Sequence, residues 1–345
     1  MNKFALSSTG LSSIGMPLEC VPDTLFSTQF EPEVAWHQGR SASTVKLSAV
    51  DLFCGSGGMS AGFVDAGIDV VAAFDSWSAA VNTYRRNIAK HAVQFDLSRT
   101  AEAVMEIAPI RPDIIAGGPP CQDFSSAGRR VEGKRANLTT AFAIIVSECK
   151  PPLFLMENVP QARHSCAYMD AKRRLVKVGY SVSEVVLNAC LCGVPQARKR
   201  FFAFGSLNSD APERFCRSLE GRIAKQKMTV KEYFGSEIDI EFYYRHPRNY
   251  SRRSVFSVHE PSPTVRGVNR PVPPGYKGNH LDRVPPSSVR PLTSQERSRI
   301  QTFPASWDWN AGNRNGEAEL QIGNAVPVNL ASFVALGVLH AARSA

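Results

Sequence analysis

The sequence predicts an α/β protein, a Rossmann-like, mostly parallel twisted sheet with helices on both faces, joined to a small irregular domain. Three observations carry this prediction. From Val45 onward, short β-branched or apolar runs alternate with helical stretches that have one apolar face, as crossover connections require. The first of these runs passes through a cluster of glycines straight into a helical pattern. After Gly205 the alternation decays into a stretch dense in Pro, Arg, aromatic and Gly residues that continues to about Arg290.

Taken in order, residues 1–44 are rich in Ser, Thr, Gly and Pro without a lasting period of 2 or 3.6, and read as an extension that is partly disordered or draped over the core. Strands are expected at Val45–Phe53, Asp69–Phe74, Ala92–Phe95, Asp113–Ala116, Leu153–Met156, Ser181–Leu187 and Phe201–Phe204. Helices are expected between them at Ser60–Ala66, Ser78–Lys90, Ala101–Ala108, Leu138–Cys149 and Ala167–Val178. Helical patterning returns at Thr293–Gln301, where Thr293 and Glu296 have the spacing of a capping box, and again at Val328–Ala342. The expected organisation is therefore an extension (1–44), an α/β domain (45–205), a small irregular domain (206–289) and a segment returning to the α/β domain (290–345).

The chain has 345 residues, a formal charge of +9 and a pI near 9.2, which suits a polyanionic partner. Its eight cysteines lack both the density of a disulfide scaffold and the C-x-x-C spacing of a structural zinc site, so reduced thiols and no metal are expected. Cys190 and Cys192, at a strand end, read as ordinary half-buried thiols. No apolar run approaches the roughly 20 residues needed to span a bilayer, and no signal-peptide core opens the chain, so a cytoplasmic protein is expected.

Asp51-Leu52-Phe53-Cys54-Gly55-Ser56-Gly57-Gly58 is a strand exit whose glycines let backbone N–H groups approach a ligand closely. Asp75 closes the next strand, where a carboxylate accepts ribose hydroxyls, and Asp96 closes the third, within reach of an adenine amino group. The same pattern serves a methyl donor, a dinucleotide or a tight structural joint. The acidic residue before the loop and Phe53, able to stack on adenine or lie near a sulfonium, lean toward the methyl donor.

The fourth strand runs into Gly117-Gly118-Pro119-Pro120-Cys121-Gln122, placing Cys121 beyond a strand's carboxyl end with two prolines to fix the approach. An inert core thiol is the alternative, but that frame is a poor core filler. The fifth strand delivers Glu157 beside it, either as a functional acid or as a solvated or capping carboxylate. Arg198 and Arg200 share one face of an extended segment, so both guanidinium groups can serve one site, or both can be solvated surface. Together these groups fit methylation of cytosine at carbon-5. That carbon becomes nucleophilic only after a thiolate adds to carbon-6 and an acid beside nitrogen-3 takes up the charge.

With these motifs in view the chain resembles the DNA (cytosine-5)-methyltransferases of bacterial restriction-modification systems. The ordered motifs are DLFCGSGGMSAGF (51–63), GGPPCQ (117–122), MENV (156–159), QARKR (196–200), RPLTSQERSRIQTFP (290–304) and QIGNAVPVNLA (321–331). The resemblance implies an S-adenosylmethionine-dependent methyltransferase fold, with S-adenosyl-L-homocysteine as product. It implies a cofactor site at Asp51, Phe53, Gly55, Gly57, Asp75, Asp96, Pro119 and Asn324. Cys121 would be the nucleophile, Glu157 would engage the amidine edge of cytosine, and Arg198 and Arg200 would orient the base. Residues 122–135 look like a loop that closes over a flipped cytosine, with Gly128 and Gly133 as hinges and Gln122, Ser125, Arg129, Arg130, Lys134 and Arg135 meeting DNA.

The variable segment is short, and Arg245, Arg248, Arg252, Arg253, Arg266 and Arg270 are its candidates for phosphate contact or guanine readout, against flexible basic loops without base contact. The implied partners are double-stranded DNA, bound by a monomer, and a cognate restriction endonuclease of the same system. The alternative within the fold is a tRNA cytosine-5-methyltransferase.

Overall fold

The computed structural model describes residues 46–120, 136–309 and 316–343. Seven strands form one sheet: β1 (Ser48–Leu52), β2 (Asp69–Asp75), β3 (Ala92–Gln94), β4 (Ile114–Gly117), β5 (Leu153–Asn158), β6 (Ser181–Asn188) and, after the two-residue β7 (Gln196–Ala197), β8 (Lys199–Ser206). Their order is β3-β2-β1-β4-β5-β8-β6, with β8 antiparallel to both neighbours and the other pairs parallel. The mostly parallel sheet expected from the alternating pattern is therefore present, with every predicted strand within a few residues of its expected limits.

Both faces of the sheet are buried. Ala49, Ile114, Ala116, Leu155, Phe202 and Phe204 face one core with Phe63, Phe215 and Val334, while Val50, Leu52, Ile115, Phe154, Met156 and Phe201 face another with Phe142, Val146 and Leu175. Burial on both sides explains why these strands read as continuous apolar runs rather than alternating ones. The helices follow: α1 (Gly58–Ala66), α2 (Ser78–Asn87), α3 (Thr100–Ile107), α4 (Ala136–Cys149) and α5 (Cys166–Lys177).

Strands β1 and β4 are neighbours although β2 and β3 intervene in sequence, so the chain reverses its direction of travel between them. Crevices at the carboxyl ends of strands at such a point are where ligands bind in open α/β sheets. The register Leu52↔Gly117 and Gly117↔Met156 sets the exits of β1, β4 and β5 side by side.

Beyond the sheet lie α6 (Ala211–Glu220), α7 (Val230–Phe234), the short strands β9 (Phe242–Tyr244), β10 (Val255–Ser257) and β11 (Ser262–Pro263), and then α8 (Ser294–Ile300), α9 (Glu317–Asn324) and α10 (Val328–Ala342). The expectation of irregular chain from Gly205 onward does not hold for α6. Ala211, Phe215 and Leu219 make one buried stripe at intervals of four, and Phe215 stacks on Phe204 of the sheet with ring centroids 4.4 Å apart. The statement that no apolar run approaches spanning length also needs correction. Glu317–Ala342 is 26 residues long and apolar enough by composition, but Ala325–Pro327 break it into α9 and α10, and 61% of its most apolar window is buried inside the protein. It is a core helix pair, seated on α1 where a Cβ on Gly62 would lie 2.5 Å from Ala331 Cβ.

Candidate active site

After β1 the chain turns through Phe53 (φ 59°), Gly55 (φ 52°) and Gly57 (φ 94°) into α1. A larger residue at Gly57 is disfavoured, because the positive φ strains any other side chain and a Cβ there would have to displace Ile88 Cδ1, 2.3 Å away, beside the Tyr84 ring. The Gly55 N–H donates to Asp75 Oδ2 at 2.9 Å, and the Trp77 N–H donates to Asp75 Oδ1 at 2.8 Å. Each carboxylate oxygen retains a second lone pair for a ligand hydroxyl. Burial pushes the Asp75 carboxyl up, against the pull of these backbone donors.

Asp51 is buried, with Ser60 Oγ donating to its Oδ2 at 2.6 Å, while its Oδ1 makes no hydrogen bond. Desolvation pushes this carboxyl up to about 7, opposed by the Ser60 hydroxyl and reinforced by the Asp75 charge. A buried acceptor without a donor is costly until a ligand supplies one. The glycine turn with these two carboxylates therefore fits a cationic, hydroxyl-bearing nucleoside.

Asp96 is exposed just past β3, its Oδ1 accepting the Ser98 N–H, and these bonds hold the carboxyl below its usual range. Asn324 ends α9 and is exposed. The chain after it closes over the start of α1, where Val326 O lies 2.2 Å from the position of a Cβ on Gly58. Ser56 Oγ donates to Gln321 Oε1 at 2.7 Å, tying the glycine turn to α9.

At the next strand exit the chain passes Gly118, Pro119 and Pro120. A Cβ on Gly118 would lie 3.1 Å from Glu157 Oε2, so the carboxyl of β5 stands directly against the exit of β4. Asn158 Nδ2 donates to Pro119 O at 3.2 Å and fixes that approach. Glu157 is buried and meets Arg200 Nε at 2.8 Å. Burial pushes its carboxyl up while Arg200 and then Arg198 pull it down. Arg198 is itself buried, donating to Val265 O at 3.3 Å, Gly323 O at 3.2 Å and Ala325 O at 3.1 Å. Both arginines thus act on one carboxylate, Arg200 by contact and Arg198 through its field.

Cys121, Gln122, Ser125, Arg129, Arg130, Lys134 and Arg135 lie outside the described residues, as does the extension 1–44. In the variable segment, Arg245 donates to Thr264 O at 2.8 Å, and burial with the nearby charge of Arg266 lowers its pKa to about 10. Arg266 donates to His246 O, and burial lowers its pKa too, assisted by Arg248 and Arg270. Arg253 pairs with Glu260 at 2.7 Å and lies over the Phe256 ring at 4.3 Å. Arg248, Arg252 and Arg270 are exposed. Sequence reasoning passed over Gln196, Ser56, Asn158 and Gln301, although each lies within a quoted motif; only Asn158, just past the end of the apolar run Leu153–Met156, carried a local signal.

The family model for C-5 cytosine-specific DNA methylase matches residues 47–340. The chain belongs to that family. It is accordingly a DNA (cytosine-5)-methyltransferase, and its family and fold imply S-adenosylmethionine as methyl donor. Type II methyltransferase M.HgiDI of Herpetosiphon aurantiacus is 50% identical over 84% of this chain and 93% of its own length. Type II methyltransferase M.HindV of Haemophilus influenzae is 47% identical over 85% of this chain and 97% of its own. Among solved structures, a putative DNA modification methyltransferase encoded within a prophage of E. coli superposes with TM-score 0.61 at 22% identity, covering 85% of this chain and 98% of that one. The S. pombe Dnmt2 methyltransferase gives TM-score 0.61 at 18% identity over 86% of this chain and 98% of its own, a likeness of fold alone. The tRNA alternative has less support than the DNA reading, because the relatives near 50% identity are named Type II methyltransferases.

Proposed function

We propose that this DNA methylase methylates carbon-5 of a cytosine flipped out of a short specific sequence in double-stranded DNA, as the modification enzyme of a restriction-modification system. The observation that carries the reading is the buried Glu157 carboxyl, ion-paired with Arg200 and pressed against Gly118 at the strand exit that leads to Cys121. Cys121 follows Pro120 directly and is assigned the role of nucleophile. Its thiolate adds to carbon-6, and Glu157, kept protonatable by burial, donates to nitrogen-3 so that the charge arriving with the sulfur is neutralised. Arg200, with Arg198 behind it, steadies the base carbonyl and the nearby negative charge. After methyl transfer the carbon-5 proton passes to solvent, the double bond reforms with expulsion of the thiolate, and nitrogen-3 returns its proton to Glu157.

Asp51, Phe53, Gly55, Gly57, Asp75, Asp96, Pro119 and Asn324 would hold the methyl donor. Bound there, S-adenosylmethionine supplies an electrophilic methyl group and leaves as S-adenosyl-L-homocysteine. Flipping follows from geometry, since a thiol on a protein scaffold has no path to carbon-6 inside a stacked duplex. Gln122, Ser125, Arg129, Arg130, Lys134 and Arg135 are assigned to the closing loop. Arg245, Arg248, Arg252, Arg253, Arg266 and Arg270 are assigned to the recognition face within 206–289. Of these the exposed Arg248, Arg252 and Arg270 suit phosphate contact, while Arg245, Arg253 and Arg266 also brace the segment internally. A monomer acting in the cytosol beside a cognate endonuclease completes the reading.

Bisulfite sequencing of plasmid DNA from a host expressing the gene is expected to reveal one protected sequence context. Labelled S-adenosylmethionine is expected to mark DNA, and label confined to tRNA would overturn the assignment. Cys121→Ala is expected to abolish transfer while leaving cofactor affinity by calorimetry within about twofold; methylation by that variant would remove Cys121 from the role.

A further inference from the structure

Gln301 follows the last turn of α8, is fully buried, and takes no part in the chemistry above. Its side chain joins three segments far apart in sequence. Gln301 Nε2 donates to Ile322 O at 2.5 Å and to Ala325 O at 3.2 Å, at the end of α9. Gln301 Oε1 accepts from Gln196 Nε2 at 2.7 Å, and Gln196 Oε1 in turn accepts the Val265 N–H at 2.8 Å. Gln196 is also fully buried and lies two residues before Arg198. The carbonyls on which Arg198 rests belong to Val265, Gly323 and Ala325, the same backbone that the two glutamines grip. Ala325 O receives both Gln301 and Arg198. Two buried amides so fully paired are costly to break, because each lost partner strands a polar group away from water.

We infer that Gln301 is the positioning residue of the Arg198–Arg200 strand. Through Gln196 it holds the strand itself, and through the end of α9 it holds the carbonyl cradle under Arg198, so Arg200 reaches Glu157 in one fixed register. The same end of α9 is tied to the glycine turn through Ser56 and Gln321, and a Cβ on Gly323 would lie 2.1 Å from Gly267 N in the variable segment. The relay therefore sets the arginine strand relative to both the methyl-donor turn and the recognition segment. This inference rests on the reading of Glu157 and Arg200 as base-facing groups.

The test is Gln301→Met, which keeps length and bulk but removes both polar ends, assayed as full-length protein with cognate DNA. A misplacement of about 1 Å in a reacting constellation costs up to roughly 100-fold. The variant is therefore expected to lose about 10- to 100-fold in kcat, with KM for DNA and cofactor affinity within about threefold of the parent. Among the described residues the charged groups acting on Glu157 are Arg200 and Arg198. Loosening them leaves burial less opposed, so the alkaline limb of the kcat profile is expected to move to higher pH. A loss that only follows the folded fraction, with the pH profile unmoved, overturns the inference. Should Gln301→Met fail to fold, Gln196→Met cuts the relay from the strand side and is expected to show the same kcat loss and the same shift. Glu157→Gln separates the two levels: parental kcat in that variant sinks the base-facing reading itself, whatever Gln301 does.

Discussion

A carboxylate beneath the glycine turn shows how far one residue's chemistry depends on its setting. Asp51 precedes a glycine-rich loop in the sequence and is legible there as an acidic residue near a ligand. That it is buried beside Asp75 with one oxygen lacking a donor is visible only in three dimensions. Its raised pKa, about 7 against 3.8 for an exposed carboxyl, means that the folded chain keeps a proton which the unfolded chain releases. The neutral group's contribution to stability is therefore complete below about pH 4 and is lost as pH rises through about 7. In urea unfolding of the cofactor-free protein, Asp51→Asn is expected to become more stable than the parent as pH rises from 5 to 8. Across that range the gain is at most on the order of 3 kcal/mol. Equal pH slopes in the two proteins would refute the placement. Asp75 and Glu157, also raised by burial, leave a residual slope in the variant.

At the scale of elements, local signals were readable where a cap or a stripe was long enough to stand out. The expected capping box at Thr293 is present: Thr293 Oγ1 accepts the Glu296 N–H at 3.1 Å, and Glu296 Oε2 accepts the Thr293 N–H at 2.7 Å. Thr229 and Glu232 form the same box ahead of α7, but that helix has only five residues and leaves no period to detect. Glu296 also receives both terminal nitrogens of Arg290 at 2.7 Å, holding its carboxyl low. Thr293→Ala is expected to cost about 1 kcal/mol in chemical unfolding, and Glu296→Ala more, since it removes the ion pair as well as the cap. The reverse order would show that Arg290 contributes nothing. Helix α6 had a legible stripe, yet it lies in a run of Pro, Arg and Gly whose composition suggested loop.

Across the whole molecule, closure depends on the C-terminal segment returning to the first helix. Gly62 on α1 admits α10 so closely that a Cβ would meet Ala331 Cβ and Ser332 N at 2.5 Å and Val328 O at 2.6 Å. Ser332 Oγ donates to Asp65 Oδ2 at 2.7 Å beside this contact. Gly62→Ala must part the two helices, and is expected to cost about 1–3 kcal/mol and to lower the unfolding midpoint in urea. An unchanged midpoint would mean the helices part freely. The same crossing explains why an apolar stretch of spanning length is a core element here: its long face is covered by α1 and α6 rather than by lipid.

By itself the sequence determined the sheet, its flanking helices and the residue types at three strand exits, because hydrophobic period, glycine turns and motif order are local properties of the chain. Tertiary structure alone decided which polar groups share a burial site. Glu157 meets Arg200 across two antiparallel strands, and Gln196 meets Gln301 from 105 residues away. Such pairings depend on strand register and on the return of α9 and α10, which close contacts fix and which no local pattern encodes.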